Sequence, residues 1–531
     1  MKDLLSEGFR LSESLARLPW EAARRMAGDS ETLRKAADLG ESLGTLPFRH
    51  ARRVLDLTGP APSAHGTGTP AESPLTRPAG EGFATPGTGA PGDGPAAERP
   101  GGPAPMEGAE PSEILGQKGR ILVLGAGYGG LTCFLELQDH LSREYDLVLI
   151  NGDRYHWFTT ELHTYVAGES EEAVRIPLSR VVSRPGRLII GKVTRLHPEE
   201  QLVELSDGQR IRYDKLVFGL GSEPEYFGLP GVAQYGMIIG TAKGAGQVRE
   251  RIRNMLADQQ EAEHIPHVAV AGGGLTGVEV VSELAEQYPG RVRLSLLEAG
   301  PEIMAGFTPD LVRTSRDVLT GMGVALHCGN PIAAVDEEQI TFKNGDQMDY
   351  DLLVWAGGVR GSHILAESGL ETTPRGRAKA DAFLRAVGHE EIYMVGDSAA
   401  VKDQTTGKEV APTAQFAVQM GKTAARNILR SLRGQPEEPF VPVNRGSFAS
   451  LGRKEGVGVM GQEHFSGPSA LLIKSMIEAH HAWESGAGVS PLIAKLTRFP
   501  GRFLQRHRPR RILVPAPATR PESTQQRTIP H

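Results

Sequence analysis

Short runs rich in Val, Ile, Leu and Ala alternate with amphipathic stretches over the central part of the chain. Apolar runs of about four to eight residues, each followed by a periodic helix, are typical of parallel sheets covered by helices. The pattern therefore predicts an α/β fold. The strands that we predict are Ile121–Leu124, Leu147–Ile150, Val268–Ala271, Leu294–Leu297, Leu352–Trp355 and Ile392–Val395.

Two of these strands end in a glycine-rich turn that opens a helix. The sequence GAGYGG begins at Gly125, and the sequence GGGLTG begins at Gly272. In such a turn the first glycine makes the tight bend, the second lets backbone amides approach a pyrophosphate, and the third lets helix and strand pack closely. We therefore expect one dinucleotide at Gly125, Gly127 and Gly130, and another at Gly272, Gly274 and Gly277.

The residue that ends the next strand indicates which nucleotide binds. Glu298 ends the strand after the second turn, and its carboxylate would accept from ribose hydroxyls and repel a 2′-phosphate, which favours NADH over NADPH. Asn151 stands at the matching position after the first turn. Its carboxamide can still bond a ribose hydroxyl, so we include Asn151 in the first site.

Composition narrows the class of protein. The chain has 531 residues, with 58 Lys and Arg against 64 Asp and Glu and a net charge of −6, which argues against nucleic acid as a ligand. The two cysteines, Cys133 and Cys328, have no neighbouring cysteine, which excludes a disulfide scaffold and a Cys-rich metal site. We predict no metal site, no signal peptide and no membrane-spanning helix, and hence a soluble or membrane-surface protein of a reducing compartment.

The N-terminal part differs from the rest of the chain. Glu13–Met26 recurs 28 residues later as Glu41–Val54, and each copy reads as a helix, a proline interruption, an aromatic residue and a basic turn. This repeat is either a duplicated docking element for an unknown partner or an anionic membrane, or two helices alike only in composition. Residues 58–117 are rich in Pro and Gly and predict a disordered linker.

The C-terminal part is apolar and basic. One apolar stripe comprises Leu471, Leu472, Met476, Ile477 and Trp483, and a second comprises Leu492, Ile493, Leu496, Phe499 and Phe503. Seven cations lie within and just after the second stripe: Lys495, Arg498, Arg502, Arg506, Arg508, Arg510 and Arg511. The pattern predicts helices on an anionic membrane surface, with a dimer interface or core helices as the alternative.

The main body resembles the type II, non-proton-pumping NADH:quinone oxidoreductases, a family of flavoproteins with two dinucleotide sites. The resemblance covers Arg120 to Trp483, and the segments that carry it are Tyr155–His163, Gly274–Glu279 and Ala414–Gln419. It implies non-covalent FAD at the first turn and NADH, as substrate, at the second. In such proteins an aspartate after a strand, here Asp397, takes a ribityl hydroxyl of FAD.

The resemblance also implies a domain order in which the NADH-binding domain is inserted into the FAD-binding domain. We predict a helical repeat region at 1–57, the linker at 58–117, FAD-binding parts at 118–240 and 379–440, and the NADH-binding domain at 241–378. A quinone and membrane-interface region follows at 441–515, and a disordered tail at 516–531.

Further site residues follow from the same resemblance. Thr160, Val193 and Ala414 are expected to contact FAD, and Gly357 is expected to lie near the nicotinamide. Glu279 would face the flavin and relay a proton, or it is a helix residue paired with a nearby base. Gln415 and Gln419, one helical turn apart, would bond quinone carbonyls, or they are surface amides.

The expected activity is hydride transfer from NADH to FAD and then electron transfer to a membrane quinone, menaquinone or ubiquinone, without proton pumping. Neither cysteine has the partner that thiol chemistry needs, so the acceptor is expected to diffuse to the flavin. We expect a peripheral enzyme of the respiratory chain on the cytoplasmic face of the cell membrane, with a homodimer left open. The alternatives are a soluble NADH-dependent flavoprotein reductase with another acceptor and a partner-regulated redox sensor.

Overall fold

The structure, a computed structural model, describes residues 118–258 and 264–486. The predicted N-terminal repeat, the linker, the second C-terminal stripe and the tail lie outside the described residues. Several of the strands consist almost entirely of apolar residues, and these strands are buried on both faces. Continuous apolar strands of this kind are expected in a parallel sheet that has helices on both sides.

The strands fall into two stretches of chain. The first stretch contains β1 (Arg120–Leu124), β2 (Asp146–Asn151), β3 (Tyr155–Trp157), β4 (Arg175–Pro177), β5 (Gly186–Ile190), β6 (Val193–His197), β7 (Leu202–Leu205), β8 (Arg210–Arg212), β9 (Lys215–Phe218) and β10 (Ser222–Pro224). The second contains β11 (Gly236–Ile238), β12 (His267–Ala271), β13 (Arg293–Glu298), β14 (Ala325–Cys328), β15 (Ile332–Val335), β16 (Gln339–Phe342), β17 (Gln347–Asp349), β18 (Leu352–Trp355), β19 (Val359–Gly361), β20 (Ala378–Lys379), β21 (Arg385–Ala386), β22 (His389–Met394), β23 (Ala399–Ala400), β24 (Ser447–Leu451), β25 (Glu455–Met460) and β26 (Glu463–Ser466).

The helices cover the sheets and join them. They are α1 (Tyr128–His140), α2 (Leu162–Val166), α3 (Val232–Tyr235), α4 (Ala242–Asp258), α5 (Leu275–Gln287), α6 (Pro309–Gly321), α7 (His363–Glu367), α8 (Ala414–Leu432) and α9 (Pro468–Glu484). Each of the six predicted strands is present, with ends that differ from the prediction by up to three residues. The α/β fold class is confirmed.

Two parallel sheets form the body of the protein. The first has the order β21-β22-β9-β1-β2-β5, in which only β21 is antiparallel to its neighbour. The second has the order β11-β18-β12-β13-β14 and is parallel throughout. The chain leaves the first sheet after β9, builds the second sheet from β11 to β18, and returns to the first with β21 and β22.

One predicted domain boundary needs correction. β11 precedes the predicted boundary at residue 241, yet it pairs in parallel with β18 at the edge of the second sheet. The second unit therefore begins before the predicted boundary. The strand has only three residues, a length at which an apolar run carries no clear periodicity.

The first and last helices of the first unit cross at very short distance. A Cβ on Gly421 of α8 would lie 2.3 Å from the carbonyl oxygen of Gly129 in α1. Both glycines are buried, and Ala417, Ala424 and Ala425 continue the small-residue face of α8. The close approach brings the beginning of α8 against the first glycine turn, so residues far apart in sequence meet at one site.

The C-terminal unit is a small antiparallel sheet, β24-β25-β26, covered by α9. Leu471, Leu472 and Met476 of α9 are 6%, 6% and 2% exposed, so the prediction that they face lipid is wrong. They are buried because the sheet carries its own apolar residues, and the alternative of a core helix holds here. Ile477 of the same stripe is 42% exposed. Between residues 118 and 486, leaving out 259–263, no helix is both long and apolar enough to cross a membrane.

The helix crossing gives a first prediction. Gly421→Ala should lower the free energy of unfolding by about 1–3 kcal/mol, because the new methyl group would overlap a backbone carbonyl that cannot move cheaply. Gly246→Ala in α4 is the matched control, since its Cβ would make an ordinary 3.6 Å contact with the Tyr165 hydroxyl. That control should stabilise the protein by about 0.5–1 kcal/mol through helix propensity. Thermal melts of both variants test the pair, and equal melting temperatures would contradict it.

Candidate functional site

The first glycine turn is shaped by close contacts within the protein. Gly125 has a φ of +89°, and a Cβ there would lie 2.4 Å from the carbonyl oxygen of Gly219. A Cβ on Gly130 would lie 2.0 Å from the carbonyl oxygen of Gly125. Gly127 is different, because the nearest atom to its Cβ position among the described residues is 4.0 Å away. Protein packing therefore requires the first and third glycines, whereas the second faces open space.

The second turn repeats this geometry. Gly272 has a φ of +115°, and its Cβ would lie 2.3 Å from the carbonyl oxygen of Ala356. A Cβ on Gly277 would lie 1.9 Å from the carbonyl oxygen of Gly272. At Gly274 a Cβ would meet no neighbouring atom of the described chain within 4 Å. In both turns the glycine that internal packing leaves unexplained is the one predicted to admit the pyrophosphate.

The helices that follow the turns present uncapped backbone amides. Gly127 and Gly274 are the N-cap residues of α1 and α5, and no side chain among the described residues caps either helix. Neither helix has an acidic residue in its first turn. Free N–H groups and the positive end of the helix dipole suit a phosphate. The residues present therefore fit a dinucleotide at each turn.

The two strand-end residues bind the turns themselves. The Oδ1 atom of Asn151 accepts from the N–H of Ala126 at 2.9 Å. The carboxylate of Glu298 accepts from the N–H groups of Gly273 at 2.7 Å and Gly300 at 2.6 Å. Each side chain thus fixes its own glycine turn, a role that the sequence analysis did not include. Their predicted contacts with ribose stay predictions.

Asp397 follows the carboxyl end of β22 and is half-buried in a polar setting. Its carboxylate accepts from the Ser222 hydroxyl at 3.0 Å. Burial raises the pKa of Asp397, and the Ser222 hydroxyl and the Arg377 guanidinium oppose that rise. Ser222, Arg377 and Asp397 line one cavity of ≈ 170 Å³ together with Val359 and Arg360. A half-buried carboxylate that lines a cavity suits a hydroxyl-bearing ligand such as a ribityl chain.

Arg377 is a site residue that the sequence analysis missed. It is 6% exposed and binds main-chain oxygens, among them Asp397 at 3.2 Å and Val410 at 3.3 Å. It also bonds the carbonyl of Ala399 and pairs with Glu409. Arg377 therefore ties the Gly-Asp turn to the segment that precedes α8. No spacing in the sequence marks this arginine, because its partners come from separate elements.

The other predicted cofactor residues divide between the two turns. The Thr160 hydroxyl lies 2.7 Å from the Tyr128 hydroxyl, beside the first turn. Val193 is buried where β6 begins, close to the end of β2, and Ala414 is the first residue of α8. Gly357 follows β18, and its neighbour Ala356 contacts Gly272 in the second turn. The structure thus brings Thr160 to the first turn and Gly357 to the second.

Glu279 lies in a buried charged cluster between three parts of the chain. It is 8% exposed, and its Oε1 atom lies 3.2 Å from the Nζ atom of Lys474 in α9. Its Oε2 atom lies 3.8 Å from Nδ1 of His163 in α2, and the N–H of Ser450 in β24 donates to its Oε1 atom at 3.1 Å. The paired-base alternative for Glu279 is therefore realised, and the base is Lys474.

Lys474 holds the positive charge of this cluster. Burial opposes that charge, but the carboxylates of Glu279, Glu478 and Glu161 together raise the pKa of Lys474 above its ordinary value. Its ammonium group also donates to Glu478 one helical turn away. The ammonium group is the centre around which these carboxylates are buried, so the cluster depends on it electrostatically.

The α5 helix carries further polar contacts to the C-terminal sheet. The Ser282 hydroxyl accepts from the N–H of Gly452 at 2.9 Å, and Arg453 donates to Gln287 at 2.8 Å and lies 3.4 Å from Glu283. Gly452 and Arg453 lie in the turn between β24 and β25. The helix that opens at the second glycine turn is therefore bound along its length to the unit that contains α9.

Gln415 and Gln419 both bind the main chain of the segment before β24. Gln415 accepts from the N–H of Arg445 and donates to the carbonyl of Gly446, each at 2.9 Å. Gln419 accepts from the N–H of Val443 at 2.8 Å and donates to its carbonyl at 3.0 Å. Each carboxamide thus pairs with backbone as a strand would. The surface-amide alternative does not describe them, and the quinone contact stays a prediction.

An aromatic cluster closes the junction between the first turn and α9. The ring of His481 lies 4.5 Å from that of Tyr128 and 6.3 Å from that of Phe158, centroid to centroid. His156 is fully buried, and its Nδ1 atom lies 2.7 Å from the carbonyl oxygen of Ala126. Burial lowers the pKa of His156 to about 4 and that of His481 to about 3. Both rings are therefore neutral at physiological pH.

The cysteines give no sign of thiol chemistry. Cys133 is buried in α1, and burial raises the pKa of its thiol. Burial also raises the pKa of Cys328 in β14, against the influence of Arg316. A protonated thiol is a poor nucleophile. Within residues 118–258 and 264–486 no cluster of His, Cys, Asp and Glu is arranged to hold a metal ion.

The sequence is similar to a known family and to proteins within it. The sequence pattern of the pyridine nucleotide-disulphide oxidoreductase family matches residues 119–421. The type II NADH:quinone oxidoreductase of Staphylococcus saprophyticus is 32% identical over 387 residues, which cover 69% of this chain and 96% of that protein. The protein of the same name from Staphylococcus haemolyticus is also 32% identical, with the same coverage.

Solved structures share the fold. The structure of NDH2 from Plasmodium falciparum in complex with NADH superposes with a TM-score of 0.64 at 18% identity, covering 73% of this chain and 98% of that one. The sulfide:quinone oxidoreductase of Aquifex aeolicus gives a TM-score of 0.59 at 18% identity, covering 70% of this chain and 92% of that one.

The fold and the paired glycine turns define a flavoprotein with two dinucleotide sites, of the pyridine nucleotide-disulphide oxidoreductase class. Within that class the chain belongs to the type II NADH:quinone oxidoreductase family. It is an oxidoreductase, and the predicted family, enzyme class and FAD and NADH cofactors are confirmed.

The carboxylate at Glu298 gives a prediction on cofactor choice. The wild type should prefer NADH to NADPH by orders of magnitude, because a 2′-phosphate would meet a carboxylate that two backbone amides hold in place. Glu298→Gln should reduce this preference by at least tenfold, since it removes the charge and keeps the side-chain length. The ratio of kcat/KM for the two nucleotides measures the effect. Equal use of both by the wild type would contradict the assignment.

The lowered pKa values of His156 and His481 predict a fold that is sensitive to acid. Unfolded histidine titrates near pH 6.5, whereas the folded pKa values of His156 and His481 are depressed, so only the unfolded state gains protons as the pH falls below about 6.5. Their contribution to stability is therefore complete above pH 6.5 and is lost progressively towards pH 4. His481→Phe keeps the ring contacts, and the dependence of melting temperature on pH between 7.5 and 5 should become shallower. An unchanged slope would show that His481 does not titrate on unfolding.

Proposed function

We propose that this protein oxidises NADH through bound FAD and reduces a membrane quinone, without pumping protons. The observation that carries the proposal is the pair of matching glycine turns, each with one glycine facing open space at the beginning of an uncapped helix. Membership of the type II NADH:quinone oxidoreductases supports the quinone as acceptor. When bound, FAD supplies the hydride acceptor for NADH and the electron donor for the quinone.

The chain's own residues account for binding at both nucleotides. The amides that follow Gly127 would hold the FAD pyrophosphate, and the carboxylate of Asp397 would accept from a ribityl hydroxyl. The amides that follow Gly274 would hold the NADH pyrophosphate, and Glu298 would accept from its adenosine ribose. Because α8 begins beside the first turn, its N-terminal amides would stabilise negative charge on the reduced flavin.

The buried cluster around Glu279 is suited to hold a proton during turnover. Its carboxylate lies 3.2 Å from the ammonium group of Lys474 and 3.8 Å from a ring nitrogen of His163, so two groups that exchange protons are next to it. The cluster joins α5, which opens at the NADH turn, to α9 of the C-terminal unit. We propose that Glu279 serves proton transfer between the flavin side and the acceptor side.

The acceptor is proposed to bind beside α8. Gln415 and Gln419 fix the segment from Val443 to Gly446. Val443 in that segment is 55% exposed, and Val441 just before it is 62% exposed. Exposed valines next to a polar clamp suit an apolar ring with two carbonyl groups. The protein is proposed to work on the cytoplasmic face of the membrane, with the stretch after α9 as its anchor.

The central test is a spectrum and an assay. The purified protein should show the absorbance of bound flavin, and NADH should bleach it anaerobically. A water-soluble quinone analogue should restore the absorbance and support steady NADH oxidation. Flavin that NADH bleaches but no quinone reoxidises would favour a reductase with another acceptor, and a nucleotide-binding protein without turnover would favour the redox sensor.

The two glutamines give a prediction on the half-reactions. Gln415→Ala and Gln419→Ala should slow flavin reoxidation by quinone about tenfold or more, because each releases the segment beside the acceptor. Flavin reduction by NADH should change by less than about twofold. Stopped-flow absorbance separates the two steps, and Gln247→Ala on the exposed face of α4 is the control. If the reductive step slows instead, the two glutamines belong to the nicotinamide side.

The membrane prediction concerns the residues after α9. Because α9 is packed into the protein, the variant without Pro491–His531 should keep the described fold, bind FAD and reduce soluble quinone analogues. It should no longer sediment with anionic liposomes. A second variant without residues 1–112 tests the N-terminal repeat, and loss of binding in that variant alone would identify the repeat as the anchor.

A further inference from the structure

Phe227 has two unfavourable features at once. Its φ is +53°, in the left-handed region that a bulky residue adopts at a cost of about 1–3 kcal/mol. Its side chain is 57% exposed, so the ring gains little from burial. A strained backbone under an exposed aromatic ring stabilises nothing in the described chain. A residue of this kind is expected where a ligand covers the ring.

The segment around Phe227 is held firmly in place. The N–H of Phe227 donates to the Glu225 carboxylate at 2.8 Å, and the N–H of Glu225 donates to the carbonyl of Gly358 at 3.0 Å. The indole N–H of Trp355 donates to the carbonyl of Glu225 at 2.9 Å. The conformation of Phe227 is therefore set by the loop that follows β18, the loop that also contains Gly357.

The ring lies over that loop. A Cβ on Gly358 would be 3.5 Å from the Cζ atom of Phe227, an ordinary van der Waals distance, so the ring lies close to this glycine. The same loop begins at Ala356, whose carbonyl oxygen touches the first glycine of the NADH turn. Since β12 and β18 are parallel neighbours, their carboxyl ends share one edge of the sheet, and Phe227 is at that edge.

A second exposed apolar side chain, Val359, lies between this edge and the flavin side. Val359, which is 43% exposed, pairs with Pro224 and lines the cavity that contains Ser222 and Asp397. Phe227 and Val359 therefore lie between the NADH turn and the carboxylate assigned to the ribityl chain. A dinucleotide held by its pyrophosphate at Gly274 would extend its nicotinamide half past Phe227 and Val359 to reach the flavin.

We propose that Phe227 is a substrate-contacting residue that packs on the nicotinamide half of bound NADH and sets its approach to the flavin. The inference deepens the proposed function and depends on it. The aromatic face would cover the apolar part of the nicotinamide riboside, and the ligand would bury the ring that the protein leaves exposed. The strained φ directs the ring to this position, so the strain serves binding rather than stability.

The test separates binding from folding. Phe227→Ala and Phe227→Gly should raise the Kd for NADH in the anaerobic reductive half-reaction about tenfold, which corresponds to about 1.4 kcal/mol. Phe227→Tyr should bind NADH as the wild type does. Phe227→Gly should melt no lower than the wild type, because glycine tolerates a positive φ. Ile265→Ala is the control, since Ile265 is 49% exposed at the opposite end of β12.

Two measurements make the outcome decisive. Calorimetric titration of the oxidised holoenzyme with NAD⁺ compares the same variants without turnover. If the wild type binds NAD⁺ but reduces no quinone, the proposed function fails while this comparison still decides the role of Phe227. A Kd within twofold of the wild type for Phe227→Ala overturns the inference. A lower melting temperature for Phe227→Gly with unchanged Kd would show that the residue is purely structural.

Discussion

The architecture depends on backbone contacts that are too close to leave room for a side chain. In each glycine turn the Cβ position of the third glycine falls about 2 Å from the carbonyl oxygen of the first, as at Gly130 and Gly277. These contacts bring each helix so close to its strand that the beginning of the helix faces the space above the sheet edge. Gly421 also has no side chain, and this lets α8 pack against the first turn. The proposed phosphate and ribityl contacts and the proposed position of the α8 N-terminus beside the flavin all depend on that close packing.

A second constraint is the burial of charge where three units meet. Glu279 begins the polar face of α5, and Lys474 reaches it from α9. An unpaired charge at this depth would cost about several kcal/mol. Separation of α5 from the C-terminal unit is therefore unfavourable. Ser282 and Arg453 extend the same contact along α5. Together these polar contacts join α5 to the C-terminal unit along the helix.

The sequence predicted the parts of this site that are local. The strands were predictable because buried parallel strands are continuous apolar runs, and the turns because glycine spacing follows from the close contacts at Gly125 and Gly272. It could not predict that Lys474 pairs with Glu279, or that Arg377 ties Asp397 to the segment before α8. Those partners lie far apart in the chain, and no periodicity links them. The prediction that the apolar stripe of α9 faces lipid was wrong for a related reason. Amphipathicity alone does not show whether an apolar face packs on lipid or on a small sheet.

The return of the chain to the first sheet has a consequence for biosynthesis. The second sheet is built from one continuous stretch, β11 to β18, whereas the first sheet needs β21 and β22 to complete it. Asp397 and α8 emerge from the ribosome long after Gly125. During translation the NADH unit can therefore close first, while the nascent FAD unit keeps an open strand edge at β9 until its last strands arrive. The FAD unit can be completed only after α8 has left the ribosome, so capture of the flavin is expected to follow the folding of the NADH unit.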